Sequence, residues 1–193
     1  MHSGDTFVFN FKQTIIMKKL ILTAIAVCSL TFANAQDGEQ TSKGKWLIEA
    51  NTNFGAAHTA NTGIQFTSFS DDAGSIFNIG IEGGYFIIDN LALKAGLGYG
   101  SIKVNSDADA VDRFSYKIGA KYYVIGTIPV QIDYSGISSD ADEDPSYFGI
   151  QGGYAFFIGD NVSIEPGVRY NLSLNDDFYT DAFQLNIGFA IHL

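Results

Sequence analysis

The chain ends in Asp181-Ala-Phe-Gln-Leu-Asn-Ile-Gly-Phe-Ala-Ile-His-Leu193, where the odd positions Phe183, Leu185, Ile187, Phe189, Ile191 and Leu193 are all large and apolar. The even positions Gln184, Asn186, Gly188, Ala190 and His192 are small or polar. Alternation of period two over this length specifies a β-strand with one apolar and one polar face. The apolar face must meet either a protein core or lipid, and the rest of the chain decides which.

Seven further segments repeat the pattern, at 45–57, 76–87, 91–104, 113–125, 128–137, 147–158 and 162–174. In 91–104, for example, Leu91, Leu93, Ala95, Leu97 and Tyr99 oppose Lys94, Gly96, Gly98 and Gly100. The connections alternate as well. Tight turns at 89–90, 126–127 and 159–161 are rich in residues that tolerate positive φ. Longer polar loops fall between them at 58–75, 105–112, 138–146 and 175–181. Eight strands with short turns on the side of the chain ends and long loops on the other predict an antiparallel up-and-down barrel.

The composition of the two faces favours lipid over a core. The polar face is rich in glycine (Gly80, Gly84, Gly96, Gly98, Gly119, Gly149), as suits the narrow interior of an eight-stranded barrel rather than a solvent-facing surface. Its charges balance: Glu49, Glu82, Asp133 and Glu165 against Lys94, Lys117, Lys121 and Arg169. Charges withdrawn from water must be paired, so this set reads as a lumen network. A three-residue turn at 126–128 would set Lys121 directly opposite Asp133, and a turn at 88–90 would set Lys94 diagonal to Glu82. The apolar rows carry no Lys, Arg, Asp or Glu, and aromatics gather towards strand ends. Trp46, Tyr85, Tyr122, Phe156 and Phe189 fall on the turn side, and Tyr99, Phe114, Tyr116, Tyr134, Phe148, Tyr170 and Phe183 on the loop side. Amphipathic rings favour the two membrane interfaces. The expected fold is therefore all-β, an eight-stranded transmembrane β-barrel over 45–193.

The N-terminal region fits export. Lys18 and Lys19, an apolar run over 20–32 and Ala33-Asn34-Ala35 before Gln36 form a secretory signal at 17–35, with 1–16 as an upstream start extension and 36–44 as a periplasmic tail. The sequence carries 11 Lys+Arg and 21 Asp+Glu, a net charge of −10. Cleavage after Ala35 removes Lys12, Lys18, Lys19 and Asp5, leaving −12, and with them Cys28, the only cysteine. Such an acidic chain is no nucleic-acid binder, and without a thiol it has no disulfide framework or thiolate metal site.

With this signal, eight alternating segments and a closing strand ending in Phe189, Ile191 and Leu193, the chain resembles the small outer-membrane β-barrel family of Gram-negative bacteria, of the outer membrane protein A and X type. The family's closing strand ends in Phe, where this chain has Leu193. The resemblance implies outer-membrane localisation, assembly by the barrel insertion machinery, and lipid and lipopolysaccharide as neighbours of a monomer.

No site for chemistry stands out. The two histidines left after cleavage, His58 and His192, fall at opposite barrel ends and cannot share one site, so a non-catalytic protein without cofactor is expected. The loop carboxylates Asp140, Asp142, Glu143 and Asp144 are candidates for a hard cation, although the run lacks the spacing and glycine of a dedicated calcium loop. The plainer reading is a solvated acidic loop surface. These features predict a structural or surface-interaction role carried by acidic loops, with a ligand there as one option. A narrow channel or a small hydrophobic-ligand barrel is the alternative, and a soluble lipocalin-like carrier would reverse the two faces.

Overall fold

The computed structural model describes residues 38–55, 59–60, 62–68, 74–103, 105, 109–139 and 144–193, all within the unit Asp37–Leu193. The start extension expected at 1–16, the signal expected at 17–35 and Cys28 lie outside the described residues. Ten strands form one antiparallel sheet: β1 (Trp46–Phe54), β2 (Gln65–Ser68), β3 (Ser75–Ile88), β4 (Leu91–Lys103), β5 (Val111–Val124), β6 (Ile128–Ser139), β7 (Ser146–Gly153), β8 (Phe156–Phe157), β9 (Val162–Ser173) and β10 (Ala182–His192). The closing strand pairs with the first, Leu47 opposite His192 and Phe54 opposite Leu185, and β1 also pairs with β3. The sheet therefore closes on itself at Trp46–Glu49.

Eight passages build the wall, because β8 continues β7 in the same register against β9. The interruption between them faces Pro166, whose carbonyl accepts from Tyr154 N–H at 3.1 Å. Proline has no N–H to return that bond, so the ladder lapses for one pair.

Burial follows the alternation. Along β10, inward residues from Ala182 to His192 are buried and outward residues from Phe183 to Ile191 are exposed. The other seven passages show the same parity: large apolar residues such as Leu97, Ile118 and Ile150 stand on the outside, while all eight predicted lumen charges are buried. This molecule is polar within and apolar without.

Three departures from the sequence reading have local causes. The turn after β5 is Ile125-Gly126-Thr127, with positive φ at Ile125 (49°) and Gly126 (76°), so Val124 pairs with Ile128. That shifts the register by two, setting Lys121 opposite Gln131 and Asp133 opposite Gly119, not opposite each other.

Within the segment 58–75, expected as a plain loop, the described residues Thr62 and β2 instead join the wall. β1 and β3 pair over Trp46 to Glu49, and beyond that point Thr62 bridges to Asn51 and β2 runs along β3. Asn51 N–H reaches the carbonyl of Thr62 at 3.4 Å and Thr52 Oγ donates to that of Ile64 at 3.1 Å. A side chain at Gly63 would overlap the Asn51 carbonyl, so glycine is required for this close approach.

Third, the lumen is not polar throughout. At the turn end Leu47, Phe86, Ala92, Tyr123, Ala155 and Ala190 form an apolar floor with Phe157 packed against it. The tail expected at 36–44 contributes a 3-10 turn at Gly38–Thr41 beneath this floor, where Thr41 is buried and donates to Asn90 Oδ1 at 2.5 Å.

Candidate functional site in the barrel lumen

Alternate residues of every wall strand point inward, so charges distant in sequence converge on the axis. Glu49 on β1 accepts from Lys94 at 3.0 Å and Lys121 at 2.7 Å, both through Oε2. Lys121 also contacts Glu165 across the lumen and lies 5.2 Å over the ring of Tyr123. Glu82 on β3 takes Lys117 at 2.8 Å on Oε1, and Lys94 stands 2.7 Å from its Oε2. The diagonal Lys94–Glu82 contact agrees with the register read from the first turn, since Gly84 faces Lys94. Asp133 is held by Arg169 in a two-pronged pair, at 2.5 Å and 2.7 Å. A side chain at Gly149 would overlap Arg169 Nη2, so the guanidinium occupies space that this glycine vacates.

Neutral residues join these pairs into one network. Gln131 accepts from Lys94 at 2.8 Å and donates to Asp133 at 2.8 Å. Arg169 donates to Asn171, Asn171 to Gln184 and Gln184 to Thr59, each at 2.8 Å. At the other end Tyr123 and Ser163 each donate to Glu165 Oε1 at 2.8 Å. His192 lies 3.1 Å from Ser163 and 3.1 Å from the carbonyl of Gln40. A buried charge without partners costs several kcal/mol, which this connectivity avoids.

Several contributors lie outside the eight charges named from the sequence. Gln131, which the alternation already sets on the inward face, and Tyr123 share the parity of those charges. Thr62, which contacts Glu82 and lies 3.2 Å from Lys117, reaches the lumen only because its loop folds inward. Arg113 also shares the inward parity of Ser115 and Lys117, at the loop-side mouth.

Of the cation candidates, Asp140, Asp142 and Glu143 lie outside the described residues, as does His58. Asp144 accepts from Ser139 N–H at 2.9 Å and thus fastens a strand end. Among the described residues no group of three His, Cys, Asp or Glu could hold a metal ion. Asp181, just outside β10, accepts from Ser173 N–H at 2.9 Å and Tyr170 hydroxyl at 2.8 Å, and these donors hold its carboxyl below the usual carboxylate range.

Ring closure, an apolar exterior and a charge-paired interior define the class: an eight-stranded antiparallel β-barrel of the transmembrane type. No family model matches the sequence, and no curated protein matches it. Among solved structures, it is similar to the N-terminal β-barrel domain of Pseudomonas aeruginosa OprF, with 14% identity, TM-score 0.46 and coverage of 78% of this chain and 98% of that one. The Yersinia pestis outer membrane protein Ail shares 11% identity at TM-score 0.46, covering 78% and 100%. Neisserial surface protein A shares 18% at TM-score 0.40, covering 77% and 99%. Membership of the class rests on this chain's own closure and burial pattern.

Proposed function

We propose that the chain is a non-catalytic outer-membrane barrel whose role is structural or surface-interacting, exercised through its acidic loops. The observation that carries this reading is the inversion of burial. Leu97, Ile118 and Ile132 are about half exposed on the outer wall, whereas Glu49, Glu82 and Lys121 inside have no accessible surface. In water such an exterior would be an aggregation surface far larger than soluble monomers expose; in hydrocarbon it is the solvent-matched face. Outward Trp46, Tyr85 and Tyr122 at the turn end, and Tyr99, Tyr134 and Tyr170 at the loop end, suit the two interfaces.

On this reading the leader is cleaved after Ala35, insertion machinery assembles a monomer, and lipid with lipopolysaccharide surrounds it. The turns face the periplasm and the acidic loops the exterior. The paired lumen and apolar floor favour a sealed barrel over a general pore. Cell fractionation tests the placement: the protein should pellet with outer membranes and migrate differently on detergent gels before and after boiling. A soluble mature protein with a single mobility would overturn it.

A further inference from the structure

The outer wall carries a groove of 330 Å³ at its turn end, lined chiefly by Trp46 of β1, Gly83 and Tyr85 of β3, Leu93 and Ala95 of β4, and Ile118 of β5. Gly83 and Ala95 are opposite each other in the β3–β4 ladder, and both belong to the exposed outward rows. A Cβ added at Gly83 would meet no atom within 4 Å, so the wall is indented there between the larger outward residues Ile81 and Tyr85. The rings of Trp46 and Tyr85 stand 5.0 Å apart at the turn side of this dent. Leu93 and Ile118 flank it and are more than half exposed.

Immediately before Trp46, the segment Lys43-Gly44-Lys45 runs along the end of β3. Gly44 N–H donates to the carbonyl of Phe86 at 2.8 Å, and Phe86 N–H donates to that of Lys45 at 3.0 Å. A Cβ at Gly44 would lie 4.0 Å from the Tyr85 hydroxyl, so the segment passes the polar tip of the groove wall. Among the described residues, neither the ammonium groups of Lys43 and Lys45 nor the Tyr85 hydroxyl has an ion-pair or hydrogen-bond partner. Asp89, in the turn after β3, directs one oxygen to Lys43 N–H at 2.8 Å. Two unpaired cations beside a hydroxyl, at the boundary end of an apolar groove, match a molecule with an anionic head and a hydrocarbon tail. A dent left unfilled in hydrocarbon forfeits dispersion contacts, and an acyl chain restores them.

We propose that this groove holds an acyl chain of an anionic phospholipid of the periplasmic leaflet, with its phosphate at Lys43, Lys45 and the Tyr85 hydroxyl. A zwitterionic phospholipid would fill the groove as well but would bring no net charge to the two lysines. The proposal rests on the outer wall facing lipid and names the lipid class that one face of it prefers.

Trp46 is the only tryptophan of the chain, so its fluorescence reports on the groove. The full barrel is reconstituted in phosphatidylcholine vesicles, and Trp46 quenching is titrated with phosphatidylglycerol or phosphatidylcholine brominated on the acyl chains. Brominated phosphatidylglycerol should quench with about fivefold higher affinity, the factor that about one lysine–phosphate contact contributes. Lys43→Gln together with Lys45→Gln should bring the two lipids to equal affinity. Gly83→Leu, which fills the groove, should remove most of the preference. Gly152→Leu, at another glycine of the outer wall with open space around it, should leave the preference unchanged. Retained heat-dependent gel mobility shows that each variant is folded. Equal quenching by both lipids in the native protein, or a preference that survives either the lysine or the Gly83 change, would overturn the proposal while leaving the barrel in lipid. No quenching by either lipid would overturn the lipid-facing wall as well. Quenching that falls as protein per vesicle rises, with a dimer on cross-linking, would put a second copy of the chain in the groove and overturn the proposal too.

Discussion

Arg169 and Asp133 show how single residues are committed in this lumen. The guanidinium is almost wholly buried and spends its donors on Asp133, Asn171 and Gln151. Removing one partner leaves the other charge buried and uncompensated, which typically costs about 3–5 kcal/mol. Asp133→Ala should therefore destabilise the barrel by about that amount in urea titrations of lipid-reconstituted protein. Asp133→Ala combined with Arg169→Met should recover most of the loss, because no charge is then stranded. A loss in the single variant that the double variant does not recover would mean that packing, not charge, is what Asp133 supplies. The partners of these residues were only partly legible in the sequence. Parity placed all eight charges on one face, but which acid meets which base depends on strand register. One residue's difference in the turn after β5 moved Lys121 away from Asp133 and onto Glu49 and Glu165.

At the level of elements, that same turn carries a testable strain. Ile125 holds φ at 49°, in a region that β-branched residues avoid, and it is 80% exposed, so it packs on little within the chain. Ile125→Gly should stabilise the barrel by about 1 kcal/mol, since the left-handed conformation carries no side-chain clash for glycine. An unchanged or lower urea midpoint would show that the isoleucine has a packing role at the membrane boundary. In β10, Ile187 points out and Asn186 points in. Ile187→Lys places a charge against lipid, costing about 2–4 kcal/mol near the midplane, whereas Asn186→Lys enters a polar lumen. The first should impair assembly far more than the second, as read from the folded band on unboiled gels; equal impairment would reverse the assignment of the faces. Period-two patterning is strong enough to reveal all eight wall passages. The inward wedge at Thr62 was not visible, because a long polar loop reads the same whether it faces water or fills a gap between strands. The apolar floor was hidden for a related reason: Leu47, Phe86 and Ala92 break the polar parity only at the last inward position of each strand.

For the whole molecule, the question is whether the polar interior conducts. Contacts cross the lumen between opposite walls, as Lys121 on β5 does to Glu49 on β1 and Glu165 on β9, so the ions of the network occupy the path that a permeating ion would need. Continuity runs from Tyr123 at the turn end to Thr59 at the loop end, with no break that depends on an open channel. An ion passing through would have to displace at least one buried pair and then traverse the apolar floor of Leu47, Phe86 and Ala92, at the cost of its hydration shell. Eight strands leave an interior just wide enough for side chains, which agrees with that occupancy. Reconstituted in planar bilayers, the protein should show no stable, large single-channel steps at physiological salt. Thinning the floor with Phe86→Gly and breaking the network with Lys121→Ala in the same chain should raise the frequency of brief openings without producing porin-sized currents. Stable, large steps from the unaltered chain would mean that the lumen pairs exchange freely with water, and the sealed-barrel reading would fall.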